Sequence, residues 1–172
     1  LKRIGFSGVQ NFPTVGLCDG QFRQNLEETG MGFGLEVDMI RVAHEAGMLT
    51  APYVFDEAQA RAMTKAGADV VVAHMGLTTK GQIGATTALT IQASAERIQG
   101  IRDAAAEVNP NIIVLCHGGP IAEPDDAQYV LDNTTGVAGF FGASSMERLP
   151  TEVAITENMR RFKRVTRAVA AS

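Results

Sequence analysis

The residues best suited to chemistry stand at the ends of short apolar runs. Residues 112–115 are four apolar side chains in a row, and they stop at Cys116-His117-Gly118-Gly119-Pro120. An imidazole at the carboxyl end of a parallel strand can move a proton or steady an oxyanion. It can equally be a turn histidine satisfied by backbone carbonyls. The paired glycines, Gly118 and Gly119, allow backbone N–H groups to approach an anionic ligand. His74 ends residues 70–73 in the equivalent place on its own run. Ser144 and Ser145 follow a further run and offer hydroxyl and N–H donors to a phosphate, or else cap a helix. Such strand ends together describe a cradle for a phosphate or carboxylate.

Lesser candidates each carry two readings. Asn11 can bond a substrate carbonyl or the turn at Pro13, and Tyr53 can reach the rim or pack in the core. Glu28 is the best acid on the chain, although a charge at a helix end looks the same. Lys80, in the Gly- and Thr-rich stretch 76–90, can meet a phosphate or sit solvated in a loop that is long for a βα connection. His44 falls within an amphipathic helix and reads as a surface residue. Cys116 neighbours His117, but strand alternation turns the two to opposite faces, which makes Cys116 a core thiol. Met146 stands where G-x-S-x-G needs glycine, so the serines are not a nucleophile elbow. G-x-G-x-x-G, Walker, H-E-x-x-H and cysteine zinc spacings are all absent, which lowers dinucleotide, nucleotide-hydrolase and zinc-protease readings.

The elements that position these residues alternate. Strands are expected at 6–12, 51–55, 69–75, 112–115 and 137–141, with helices at 35–46, 56–66, 93–108, from 123 onward and 150–169. The helix at 35–46 places Leu35, Met39, Val42, Ala43 and Ala46 on one face. Asp56 with Gln59 resembles a capping box, and Glu123-Pro124-Asp125-Asp126 suits a helix's first turn. Five strands, each followed by a helix and none by a hairpin turn, make a parallel α/β sheet. Either a (β/α)8 barrel lacking about three units or a doubly wound open sheet satisfies that alternation. Leu1-Lys2-Arg3-Ile4-Gly5 reads as the last turn of a helix, which predicts a chain that begins inside a βα repeat.

Composition narrows the partners. With 172 residues the chain suits one domain, and a formal net charge of −4 gives no basic face for nucleic acid. No apolar run is long enough for a membrane span. Two distant cysteines, Cys18 and Cys116, suggest a reduced, cytoplasmic protein.

Longer motifs carry a resemblance. Gly8-Val9-Gln10-Asn11-Phe12-Pro13-Thr14-Val15-Gly16, Asn25-Leu26-Glu27-Glu28-Thr29-Gly30-Met31-Gly32, Ala73-His74-Met75-Gly76-Leu77-Thr78-Thr79, Cys116-His117-Gly118-Gly119-Pro120 and the stretch 139–150 are similar to the phosphoenolpyruvate hydrolase-like family. The resemblance covers nearly the whole chain. It implies a TIM barrel of which residues 1–172 supply strands four to eight, the first three units lying outside them. It also implies hydrolysis of a carbon–phosphorus bond or phosphate ester on a pyruvate skeleton, by analogy with phosphonopyruvate-processing barrels. Catalytic roles then fall to His117, His74 and Glu28. Asn11, Tyr53, Gly118, Gly119, Ser144 and Ser145 become the substrate contacts. Related barrels hold Mg²⁺ with carboxylates near strand ends, whereas the strand ends here offer Asn11, His74, His117 and Ser144, so the metal stays unassigned and a need for Mg²⁺ open. The competing expectation is a ligand-sensing or protein-interaction module that keeps the anion site without turnover. Expected partners are a small anionic substrate and a second copy of the chain, which would cover the open sheet edges; neither nucleic acid nor a membrane is expected.

Overall fold

Valines 70–72 form the middle of a parallel sheet, as a run apolar on both faces should. The computed structural model describes residues 1–79, 89–147 and 151–165. Two units are distinguished, Leu1–Gly142 and Ala143–Ser172. The first holds strands β1 (Gly8–Val9), β2 (Leu49–Thr50), β3 (Tyr53–Val54), β4 (Val70–His74), β5 (Ile113–His117) and β6 (Gly139–Phe140). Its helices are α1 (Gly20–Glu28), α2 (Phe33–Glu45), α3 (Glu57–Lys65), α4 (Ile91–Val108) and α5 (Pro124–Asp132). The second holds α6 (Ser144–Glu147) and α7 (Thr151–Lys163).

Among the described residues all strand pairings are parallel. β1 pairs with β2, and β3, β4, β5 and β6 pair in that order. β2 and β3 are one extended segment interrupted at Ala51-Pro52, where proline supplies no N–H to a ladder. Asn11 spans the interruption: its Oδ1 accepts from Tyr53 N at 2.7 Å and its Nδ2 donates to Tyr53 O at 3.2 Å. The amide side chain thus takes the place of a backbone partner. Five strand positions follow one another in chain order with no reversal, which excludes the doubly wound alternative. The architecture is that of a partial (β/α)8 barrel.

Helix boundaries have local causes. Asp56 Oδ1 accepts from Gln59 N at 2.7 Å, and Gln59 Oε1 accepts from Phe55 N at 2.9 Å, which fixes the start of α3. Asp126 accepts from Glu123 N at 2.9 Å, with Pro124 opening α5. Thr90 caps α4 through Ala93 N.

One expectation is corrected in α2. Its buried residues are Phe33, Ile40 and Ala43, while Leu35 is 58% and Val42 55% exposed. Of the face foreseen from sequence, Ala43 is buried and Met39 packs partly buried against the core, but the rest of the core-facing stripe is Phe33, Val37 and Ile40 rather than Leu35 and Val42. The strand foreseen at 6–12 is also shorter, confined to β1. Leu1 to Gly5 forms a single tight turn ended by Gly5 in the left-handed region, φ 93°.

Alternation along β4 sorts its residues between two apolar layers. Val71, Ala73, Val114 and Cys116 pack with Val54, Met63, Ile98 and Ile101 beneath the helices. Tyr53, Phe55 and Val72 form a second cluster with Val70 and Phe141 on the opposite face. That second face is the inner one, and it carries the candidate site.

Candidate active site

Register brings the two predicted histidines together. His74 and His117 are direct partners across β4 and β5, so their side chains leave the sheet at the same level and on the same face. Their rings meet edge to face with centroids 4.7 Å apart. Tyr53 completes the group. It is stacked on His117 at 5.1 Å and set edge-on to His74 at 4.7 Å. Phe55 lies 5.0 Å from His74, and Phe141 5.7 Å from His117. Tyr53, assigned from sequence to either rim or core, is buried and yet in contact with both imidazoles.

Hydrogen bonds fix where each imidazole carries its proton. Gly76 N donates to His74 Nδ1 at 3.0 Å, so that nitrogen bears a lone pair and the neutral ring is protonated at Nε2. His117 Nδ1 stands 2.6 Å from the Phe141 carbonyl, which can only accept. Nδ1 of His117 therefore holds the proton, and Nε2 of the neutral ring is the free base. Burial, reinforced by the neighbouring His117, lowers His74 to about 4. Burial lowers His117 as well, opposed by its bond to Phe141. Both are neutral at pH 7. Burial also pushes the Tyr53 phenol up, with the Gln10 side chain acting in the other direction.

The double glycine has a packing cause. Gly118 and Gly119 have φ of 74° and 59°, where side chains are strained. A Cβ on Gly118 would collide with Gly76 O, and one on Gly119 with Met75 O. Gly119 N donates to Gly76 O at 2.7 Å, and Thr79 N returns a bond to Gly119 O at 3.1 Å. The loops after β4 and β5 are thereby laced together above the histidines. The Gly119 amide expected to meet an anion is engaged by this lacing.

Other sequence candidates fall elsewhere. Asn11 is buried and bonded to the Tyr53 backbone and to Glu36 Oε2 at 2.6 Å, which makes it a strut beneath Tyr53. Glu28 ends α1, exposed, and accepts from Gln24 Nε2 at 2.7 Å; no hydrogen bond or ion pair joins it to either histidine. Ser144 and Ser145 open α6 in the second unit. Lys80 lies outside the described residues, as does most of the Gly- and Thr-rich stretch 76–90. Cys116 is fully buried on the helix-covered face, and burial pushes its thiol up to about 11, as alternation requires. His44 is a surface residue, 4.0 Å from Asp69.

Sequence reasoning missed Glu36. Its carboxylate accepts from Asn11 Nδ2, from Thr14 Oγ1 at 2.7 Å and from Val15 N at 2.8 Å. It locks the loop after β1 onto α2. The one signal available was an acidic residue set between the apolar Leu35 and Val37.

The donor set does not suit Mg²⁺, which takes oxygen ligands in octahedral array. The candidates are two imidazoles walled by aromatic rings. Among the described residues no three His, Cys, Asp or Glu side chains converge as a metal site. A shallow cavity of about 250 Å³ lies against β1 and β2, lined by Gly8, Val9, Gln10, Leu49, Ala51 and Phe141.

A family model described as phosphoenolpyruvate hydrolase-like matches residues 1–165. The chain belongs to the phosphoenolpyruvate hydrolase-like family. Within 166 residues it is 61% identical to the ToMV susceptible protein tm-1(GCR26) of Solanum lycopersicum, and equally to the ToMV resistance protein Tm-1(GCR237) of the same plant. Those alignments take in 96% of this chain and 22% of each relative, so the chain spans about a fifth of their length. A looser likeness is to the N-acetylmannosamine-6-phosphate 2-epimerase of Clostridium perfringens, 16% identical, with a TM-score of 0.44 over 74% of this chain and 48% of that one. Among the described residues of this family member, no helix is long and apolar enough to cross a membrane.

Proposed function

We propose that the chain carries the catalytic centre of a hydrolase acting on a small compound with a carboxylate or phosphate group, phosphoenolpyruvate and phosphonopyruvate being the first to test. The observation that supports this reading is the register pairing of His74 with His117 at the end of two adjacent parallel strands. In it, His117 activates water while His74 and Tyr53 line the reacting group. From their place in the sequence alone, Ser144 and Ser145, small donor-rich residues after the last strand, stay candidates for the anion. A cytoplasmic location and assembly with a second copy belong to the same proposal. The two free cysteines favour the first and the exposed inner residues Leu49 and Ile113 the second.

Screening phosphoenolpyruvate and phosphonopyruvate with the intact protein, with and without Mg²⁺, tests it. Turnover should fall by about 10² or more in His117→Ala. Turnover that the substitution leaves unchanged removes His117 from the mechanism. The non-catalytic ligand module is the second reading, and it too must hold its anion by groups other than the Gly119 amide, which is engaged within the fold. Anion-dependent thermal stabilisation without any product would select it.

A further inference from the structure

The two imidazoles are not equivalent. Gly76 N holds the His74 proton on Nε2, and the Phe141 carbonyl holds the His117 proton on Nδ1. One ring therefore presents an N–H and the other a lone pair, a donor and an acceptor 4.7 Å apart between ring centres. Among the described residues neither Nε2 has a hydrogen-bond partner. The rings around the pair are Tyr53, Phe55, Phe140 and Phe141, and the Arg97 guanidinium is turned to the Phe55 carbonyl, to which it donates at 2.6 Å. A phosphoryl group brings two negative charges, which two neutral imidazoles and the aromatic rings against them neither neutralise nor solvate. A carbonyl oxygen is uncharged until it is attacked, and a neutral N–H suffices to receive it.

We infer that the histidine pair acts on an uncharged acyl carbonyl: His117 Nε2 takes a proton from water, and His74 Nε2–H bonds the carbonyl oxygen. The hydroxide formed adds to the carbonyl carbon, and the C=O π pair moves onto oxygen. Collapse of this adduct re-forms C=O and breaks the bond to the leaving group, which takes the proton from His117. Water and an acyl compound thus give an acid and a protonated leaving group, with no other reactant. The substrate class is a small ester or thioester, whose anionic group, if it has one, is held away from the histidines. This inference rests on the hydrolase reading above and narrows its substrate.

Nitrogen NMR of the intact protein labelled in histidine tests it directly, since ¹⁵N shifts distinguish the two tautomers. His74 should report a proton on Nε2 and His117 a proton on Nδ1 at pH 7. Added trifluoroacetone, an uncharged carbonyl, should shift His74 Nε2, and inorganic phosphate should shift neither ring. Equal tautomers, or protonation of either ring by phosphate, overturns the inference. A kinetic arm compares p-nitrophenyl acetate with p-nitrophenyl phosphate. Hydrolysis of the acetate should drop about 10² in His117→Ala. In His74→Ala kcat should fall at unchanged KM, with His74→Gln, which keeps a neutral N–H, recovering part of it. Turnover of the phosphate ester that depends on His117 overturns the inference and leaves the hydrolase reading standing. If neither ester is turned over and both tautomers are as assigned, this inference fails, and the hydrolase reading is decided separately by the phosphoenolpyruvate and phosphonopyruvate screen.

Discussion

Cys116 and His117 are neighbours on one strand and live under opposite rules. Cys116 points beneath the helices, where every partner is apolar and burial raises its thiol to about 11. His117 points to the inner face, among rings and one carbonyl, and burial there holds an imidazole neutral. The same desolvation makes one group inert and leaves the other a base. What separates them is the single hydrogen bond to Phe141, which gives the imidazole a defined tautomer. The outer face of β4 and β5 is thus a packing surface. The inner face, at its carboxyl end, is an arrangement of polar atoms inside an apolar wall.

The largest effect should come from the outer face. Ile98 on α4 is fully buried against Met63 and Val71 in the same cluster. Ile98→Ala leaves a cavity there and should lower unfolding free energy by about 2–5 kcal/mol, read by urea denaturation of the intact protein. The histidine tautomers should survive it, because their bonds come from the loops and not from α4. Loss of stability together with altered ¹⁵N shifts would show that the two faces are one mechanical unit and break the comparison.

A somewhat smaller effect belongs to the inner face and depends on pH. His74 is 4% exposed and titrates near 4 when folded, against 6.5 for the free side chain. Above pH 6.5 the ring is neutral in both states and contributes no penalty. As pH falls below 6.5 the unfolded chain takes up the proton first, so stability declines, and the loss is complete below about 4. Its full size is on the order of 3 kcal/mol. His74→Gln removes that titration. The stability difference between pH 7.5 and 4.5 should therefore shrink in the variant by most of this amount. An unchanged pH dependence would mean that His74 is protonated in the fold, contrary to its bond from Gly76.

Legibility from sequence follows the same division. The helix starts at Asp56 and Glu123 were readable because each cap and its partner lie within four residues. Strand ends at His74 and His117 were readable from apolar runs, and their facing direction from alternation. Partners distant in sequence were not. Asn11 reaches Tyr53 across 42 positions and Glu36 across 25, and no local pattern announces either bond. Gly118 and Gly119 were noticed for their conformational freedom, but not for the packing that requires it. The need for close approach between two βα loops exists only once β4 and β5 are paired.

The smallest expected effect tests the place where local pattern misled. α2 carries two apolar stripes, and periodicity alone ranks Leu35 and Val42 with the core. In the fold these two are more than half exposed, while Ile40, two positions from Val42, is fully buried. A side chain already in water loses little when its apolar atoms are replaced, so Leu35→Gln with Val42→Gln should change unfolding free energy by no more than about 0.5 kcal/mol each. Ile40→Ala in the same helix should cost about 2–5 kcal/mol. Helix propensity cannot explain such a gap, since Gln and Leu rank alike and Ala ranks above Ile. If the double glutamine variant is instead the more damaging one, the exposed stripe is covered in the intact protein, and light scattering on the same variant would then show whether a second copy is what covers it.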